Sequence, residues 1–166
     1  MIYLVGFTLF GTLAILQSTV ISRMPLLQGT TDLFLIFILA WALQDRVESA
    51  WQWCVIGGLF ASFYSALPFG TYLIAYLLST SGARLLKRRV WKAPILAMLA
   101  ATFIGTLIVM IISAMSILVM GVNLPLVTIL NTILLPSILL NLILAIPVFY
   151  IMHDVAGWLY PEELEV

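Results

Sequence analysis

The chain is poor in charge and in reactive side chains. Among its 166 residues are seven Lys or Arg, seven Asp or Glu, one histidine and one cysteine. Charged residues make up 8% of the sequence, against roughly 25% in a water-soluble domain. Too few polar groups remain to cover a water-facing surface. The lone Cys54 excludes an intrachain disulfide, and with His153 as the one histidine no zinc ligand set can be assembled. A net charge of +0 supplies no field to attract nucleic acid. The G-x-S-x-G, H-E-x-x-H and P-loop patterns are all missing. No cofactor or metal is therefore expected, and catalysis is disfavoured on the supply of side chains alone. His153 and Asp154 are adjacent, but no nucleophile motif accompanies them; they read as an anchor at a helix C-terminus rather than an acid–base pair.

What is present is apolar. Residues of the AVILMFWYC class make up 64% of the chain, and the mean hydropathy is +1.20. Hydrocarbon as solvent accounts for both numbers. A bilayer core of about 30 Å needs about 20 apolar residues as helix. Residues 1–22 carry no charge and stop near Ser22-Arg23-Met24-Pro25; without a basic leader they read as a retained first span, 2–22, rather than a cleaved signal. The next apolar run, 31–44, is short. It reads as a span closed by Asp45-Arg46, with a re-entrant segment as the alternative; Thr30 or Thr31 would cap it, with Asp32 in the first turn. Residues 49–83 carry no Asp, Glu, Lys or Arg. As one helix they would reach about 52 Å, so the chain must turn at Pro68-Phe69-Gly70, giving spans near 50–66 and 70–87. Residues 93–153 are likewise free of those four residue types and require two spans, near 94–119 and 126–153, with a turn at Gly121–Pro125. The last span contains Pro136 and Pro147, and the tail from Pro161 is polar and expected to be exposed. The expected architecture is all-α and integral to a membrane, one domain of about six transmembrane helices.

Basic residues orient it. Arg84, Lys87, Arg88, Arg89 and Lys92 crowd one connection, which should be cytoplasmic. Six spans then place both termini inside with Arg23 as the one basic residue outside; a re-entrant second segment would place all seven inside. Next to anionic lipid, that basic run is also a headgroup-contacting surface.

Small residues recur at Ala97, Ala101 and Gly105, at Gly57, Ala61 and Ser65, and at Gly58 and Ser62. Four-residue spacing puts each set on one helix face, where backbones approach closely. Such faces serve packing within the bundle or docking of a partner's helix. Asp32 is either an interfacial first-turn residue or a buried intramembrane acid, which is costly and usually functional. Asn131 and Asn141 could line a small polar cavity with Thr128, Thr132 and Ser137, or bond between helices.

One stretch carries a resemblance. Gly58-Leu59 in one helix, a turn ending Pro68-Phe69-Gly70, then Tyr72, Tyr76 and the basic run from Arg84 to Arg89 resemble the bacterial rod shape-determining protein MreD family, as does Thr31-Asp32-Leu33 ahead of the second helix. Two departures are that Ser62 stands where the family often has an acid, and Thr31 where it has proline. The resemblance implies a fold similar to the substrate-binding subunits of energy-coupling-factor vitamin transporters. It also implies a non-enzymatic scaffold of the cell-elongation complex in the bacterial cytoplasmic membrane. Partners would be an MreC-like single-span protein and, through it, the glycosyltransferase and transpeptidase of lateral peptidoglycan synthesis. The alternative function is that of a vitamin-capturing transporter subunit; the short, mostly apolar outer segments 23–31, 67–70 and 121–125 argue against it.

Overall fold

The computed structural model describes residues 2–19, 30–45, 47–89, 93–122 and 133–160. Among these there are six helices and no strand: α1 (Ile2–Thr19), α2 (Leu33–Leu43), α3 (Ala50–Tyr64), α4 (Thr71–Arg89), α5 (Pro94–Val119) and α6 (Leu135–Leu159). By length and composition α5 and α6 are able to cross a membrane, while α1 and α2 are shorter apolar helices. Arg23, Lys92, Thr128, Asn131, Thr132 and the tail from Pro161 lie outside the described residues, and with them the expected roles of Asn131 and Lys92.

Each boundary has a local cause. Asp32 is itself the N-cap of α2, its Oδ1 accepting from Leu35 N at 3.0 Å. This corrects the expectation that Thr30 or Thr31 caps the helix. A carboxylate there satisfies a free amide and faces the positive end of the helix dipole. Gln44 and Ser65 turn to extended backbone and end α2 and α3. The turn into α4 uses Gly70 at φ +93, open to glycine at little cost, and Pro68 O accepts from Thr71 N at 3.1 Å and Thr71 Oγ1 at 2.8 Å. Pro94 opens α5 where no amide partner is needed. At its other end Gly121, at φ +79, donates to Leu118 O at 2.9 Å and Val122 N to Ile117 O at 3.3 Å. These two bonds form a Schellman cap.

The expected start of the last helix, near 126, lies outside the described residues; residues 133 and 134 are already helical ahead of Leu135, and Pro147 lies well inside the helix. The helix runs on past His153 to Leu159, because His153 reaches Gln44 at the rim of the bundle, Asp154 is exposed, and no proline intervenes before Pro161.

The short helix α2 is the axis of the bundle and packs against all five others. Every residue from Leu33 to Leu43 except Phe37 is buried. Around it Trp41 stacks on Trp53 with ring centroids 4.1 Å apart, and Phe10 meets Phe34 and Trp53, each at 5.9 Å. The outer helices turn large apolar side chains outward, among them Leu4 and Phe7 of α1, Phe103 and Ile111 of α5 and Leu139 and Ile143 of α6. Hydroxyls and amides point inward: Ser79, Thr80, Thr102, Thr106, Ser137 and Asn141 are all buried.

The small residues seat the helices on one another. A Cβ on Gly58 would stand 2.8 Å from Leu73 Cδ1 and 3.0 Å from its Cα, and one on Gly57 2.8 Å from Ile38 Cδ1. A Cβ on Gly105 would stand 3.0 Å from Leu39 Cδ1. Ala97 and Ala101 are buried on the same face of α5, and Ser62 is buried with its hydroxyl donating to Gly58 O at 2.7 Å. These positions face other helices of this chain.

Candidate functional site

Two polar clusters lie at opposite ends of the bundle, and α2 joins them. Among the described residues one end carries nearly all the charge. Lys87 Nζ donates to Gln44 O at 2.5 Å, at the C-terminus of α2, and stands 3.6 Å from Asp45 Oδ1. Gln44 Oε1 meets His153 Nδ1 at 3.1 Å, and Gln44 Nε2 donates to Phe149 O at 3.4 Å. Arg84 lies over the Trp51 ring at 5.7 Å. Arg88 and Arg89 are exposed. A cavity of about 420 Å³ opens here, lined by Gln44, Lys87, Ala97, Phe149 and His153 among others. His153 is therefore tied to the end of α2, not to Asp154.

The other end is built on Asp32. The N-cap geometry fixes its carboxylate at the start of α2, where Tyr76 of α4 donates its hydroxyl to Oδ1 at 2.7 Å. Asn141 of α6 closes the network from the other side: its Oδ1 accepts from Asp32 N at 3.0 Å and its Nδ2 donates to Thr106 Oγ1 of α5 at 3.0 Å. Thr106 in turn donates to Thr102 O at 2.8 Å, and Thr30 N donates to Ser137 Oγ at 3.1 Å. One chain of bonds thus joins α4, α2, α6 and α5. Asp32 Oδ2 is buried and has no partner among the described residues, as is Gln17 Oε1.

Beside this network lies a cavity of about 430 Å³ to which all six helices contribute. Gln17 enters from α1, Phe34 and Leu35 from α2, Ala61 and Tyr64 from α3, Tyr72 and Tyr76 from α4, Thr106 and Ser113 from α5, and Ser137 and Asn141 from α6. Pockets for small ligands run to roughly 300–1,000 Å³, with an apolar lining and a few convergent polar groups. The structure thus brings Asp32 and Asn141 together at one cavity. Ser62 packs nearby on Gly58, while Pro68 and Gly70 shape the neighbouring turn. Ala97, Ala101, Gly105 and the basic run of α4 belong elsewhere in the bundle.

Sequence reasoning missed Gln17, Thr106 and Tyr76 as members of this site. Gln17 had a signal, as the one amide side chain in an otherwise apolar, uncharged first segment. Tyr72 and Tyr76 are spaced to share a face of α4, and their rings meet edge to face at 5.7 Å. Thr106 had none, since hydroxyls are common along α5. Among the described residues no group of three or more His, Cys, Asp or Glu is placed to hold a metal ion.

Comparison with protein-family models, with curated proteins and with solved structures yields no match.

Proposed function

We propose that the chain is a membrane-embedded scaffold that holds partner proteins through contacts within the bilayer. The observation that carries this is the inverted surface. Large apolar side chains cover the outward faces of α1, α4, α5 and α6, while the hydroxyls and amides are turned inward. Among the described residues every charged side chain except Asp32 belongs to one end of the bundle. Hydrocarbon as solvent explains both features, since apolar groups need no water and polar ones must find partners inside. The six helices then act as six spans. Although α2 is only about 16 Å long at 1.5 Å per residue, it is sheathed by the other five, with only Phe37 partly uncovered.

The charged end, with Lys87, Arg88 and Arg89 in the last turn of α4, is the cytoplasmic one by the excess of Lys and Arg. Both termini are then cytoplasmic and the Asp32 cavity opens outward. A cytoplasmic-membrane location in a bacterium and a place in the cell-elongation complex follow from the MreD-like motif. The partner is then an MreC-like single-span protein, and through it the glycosyltransferase and transpeptidase of wall synthesis. Close packing plus interhelical hydrogen bonds of about 0.6–2 kcal/mol each hold such a complex.

The test is affinity capture in mild detergent. Gly82 faces open space in a groove lined by Ala83, Ala101 and Ile104, so Gly82→Leu adds bulk without entering the core. Loss of a co-purifying single-span protein with no fall in melting temperature supports the reading. Capture of no membrane protein by the wild-type chain from its own membranes removes it. A second reading, the substrate-binding subunit of a vitamin transporter, is favoured by the six-helix cavity. It requires in addition that the chain co-purify with an ATP-driven transport module.

A further inference from the structure

The cavity beside Asp32 has an acceptor too many. Asp32 Oδ1 is filled, taking Tyr76 Oη at 2.7 Å and Leu35 N at 3.0 Å. Asp32 Oδ2 is buried and receives no donor, and Gln17 Oε1 on the same cavity is in the same condition. The described lining contains no Lys, Arg or His, so no cation of this chain's described residues balances the carboxylate. A carboxylate taken out of water without a partner costs several kcal/mol, which is why buried charges are paired or ligated. Among the described residues no positively charged hydrogen-bond donor reaches the site.

Three features narrow the class of donor. First, a hard metal ion takes six or more oxygens, whereas this site offers one carboxylate, and the cavity, at about 430 Å³, is far larger than an ion. Second, beside the hydroxyls and amides of the lining stands an aromatic and aliphatic wall of Phe34, Leu67, Tyr64, Tyr72, Val109 and Met110; an apolar body fits against it. Third, tyrosine and phenylalanine faces attract cations. All six helices converge on the space, so it opens at one end of the bundle between them.

We propose that this cavity binds a small organic amine. Its ammonium donates to Asp32 Oδ2, with Gln17 Oε1 as a second acceptor, and its aromatic or alkyl body lies among Phe34, Tyr64 and Tyr72. The site rests on the cavity and its two orphan acceptors, and is independent of which proteins the scaffold holds.

The test is a melting-temperature measurement on the full chain in mild detergent, with phenethylamine, tyramine and cadaverine as probes. Phenylethanol has the same body as the first probe without its charge, and ammonium chloride supplies the charge without a body. At saturation at least one amine raises the melting temperature by about 5 °C, and neither control does. Asp32→Asn keeps an oxygen to cap Leu35 N and removes the charge, and the shift is lost. Ser113→Leu fills the cavity while leaving Asp32 in place, and it too loses the shift; should Asp32→Asn fail to fold, this arm decides. An equal shift from phenylethanol, a shift that survives both variants, or no shift from any of the three amines overturns the proposal.

Discussion

Asn141 is the side chain on which the outer network turns, and replacing it by leucine isolates what that network contributes. Asn141 is 1% exposed and bonds in two directions, to Asp32 N and to Thr106 Oγ1, each at 3.0 Å. Leucine is close to it in volume, so little cavity opens and the change is chiefly one of polarity. The Asp32 amide loses its acceptor in a site shielded from water, and an orphaned donor costs about 1–3 kcal/mol. The bond to Thr106 is an interhelical one, worth about 0.6 kcal/mol within a membrane bundle; Thr106 keeps its own acceptor at Thr102 O. Asn141→Leu should therefore lower stability by about 2–3 kcal/mol, and Thr106→Val, which removes the Asn141–Thr106 bond together with the hydroxyl's donation to Thr102 O, by about 1–2 kcal/mol. The assay is reversible unfolding in mixed detergent–SDS micelles, read by fluorescence of the buried Trp41 and Trp53. The double variant should cost less than the sum of the singles by about 0.6 kcal/mol, the energy of the shared bond. If Asn141→Leu lies within about 0.5 kcal/mol of wild type, the bond chain does not hold α2 to α6 and the account of the outer site fails.

Three further outcomes are expected in the same unfolding assay. Gly58→Ala should lose about 1–3 kcal/mol, because its methyl group meets Leu73 backbone that cannot step aside. Gly82→Ala, in a helix with open space at the Cβ position, should gain about 0.5–1 kcal/mol; equal effects at the two sites would refute the packing assignment. Lys87→Met removes the donor to Gln44 O, worth about 1.5–3 kcal/mol, whereas Asp45→Asn, at a partner 90% exposed, should be nearly silent; a larger loss from Asp45→Asn would reverse that ranking. Trp41→Phe should cost about 1 kcal/mol more than Trp53→Phe, since Trp41 Nε1 donates to Ser49 Oγ at 3.3 Å while Trp53 Nε1 has no partner among the described residues. Equal losses would show that the Ser49 contact contributes nothing.

Helix number and most boundaries were legible because punctuation is local. Pro68 and Gly70, Pro94 and Gly121 each act through their own backbone, so a window of a few residues reveals them. The last helix shows the limit of that reasoning. The polar pair at 153 and 154 looked like an end, yet a helix continues through such residues when one finds a partner at the rim, as His153 does in Gln44, and the other is exposed. The central place of α2 was hidden for a different reason. Leu33–Leu43 is apolar on every side, so no face is marked as the buried one. Shortness does not separate a sheathed core helix from a short span or a re-entrant loop, since it fits all three. The site was legible only as parts. Asp32 and Asn141 each stood out as polar residues in apolar surroundings, but 109 positions separate them, and no period in the sequence relates two residues on helices that meet only in the folded bundle.

Once assembled, those parts make α2 the means by which the outer cavity reaches the rest of the molecule. Its N-cap carboxylate faces the cavity, the carbonyl of its C-cap Gln44 is held by Lys87, and the Gln44 side chain meets His153. Between these points its side chains pack on all five other helices. A packed interior transmits displacement rather than absorbing it. A cation that pairs with Asp32 therefore tightens the element every other helix leans on, and its effect belongs to the whole bundle. This is why global melting, rather than a local probe at the cavity, is the sensitive readout for occupancy. It also implies that Lys87→Met, at the far end of α2, should weaken amine binding if α2 moves as a unit, and leave it unchanged if the two ends are independent.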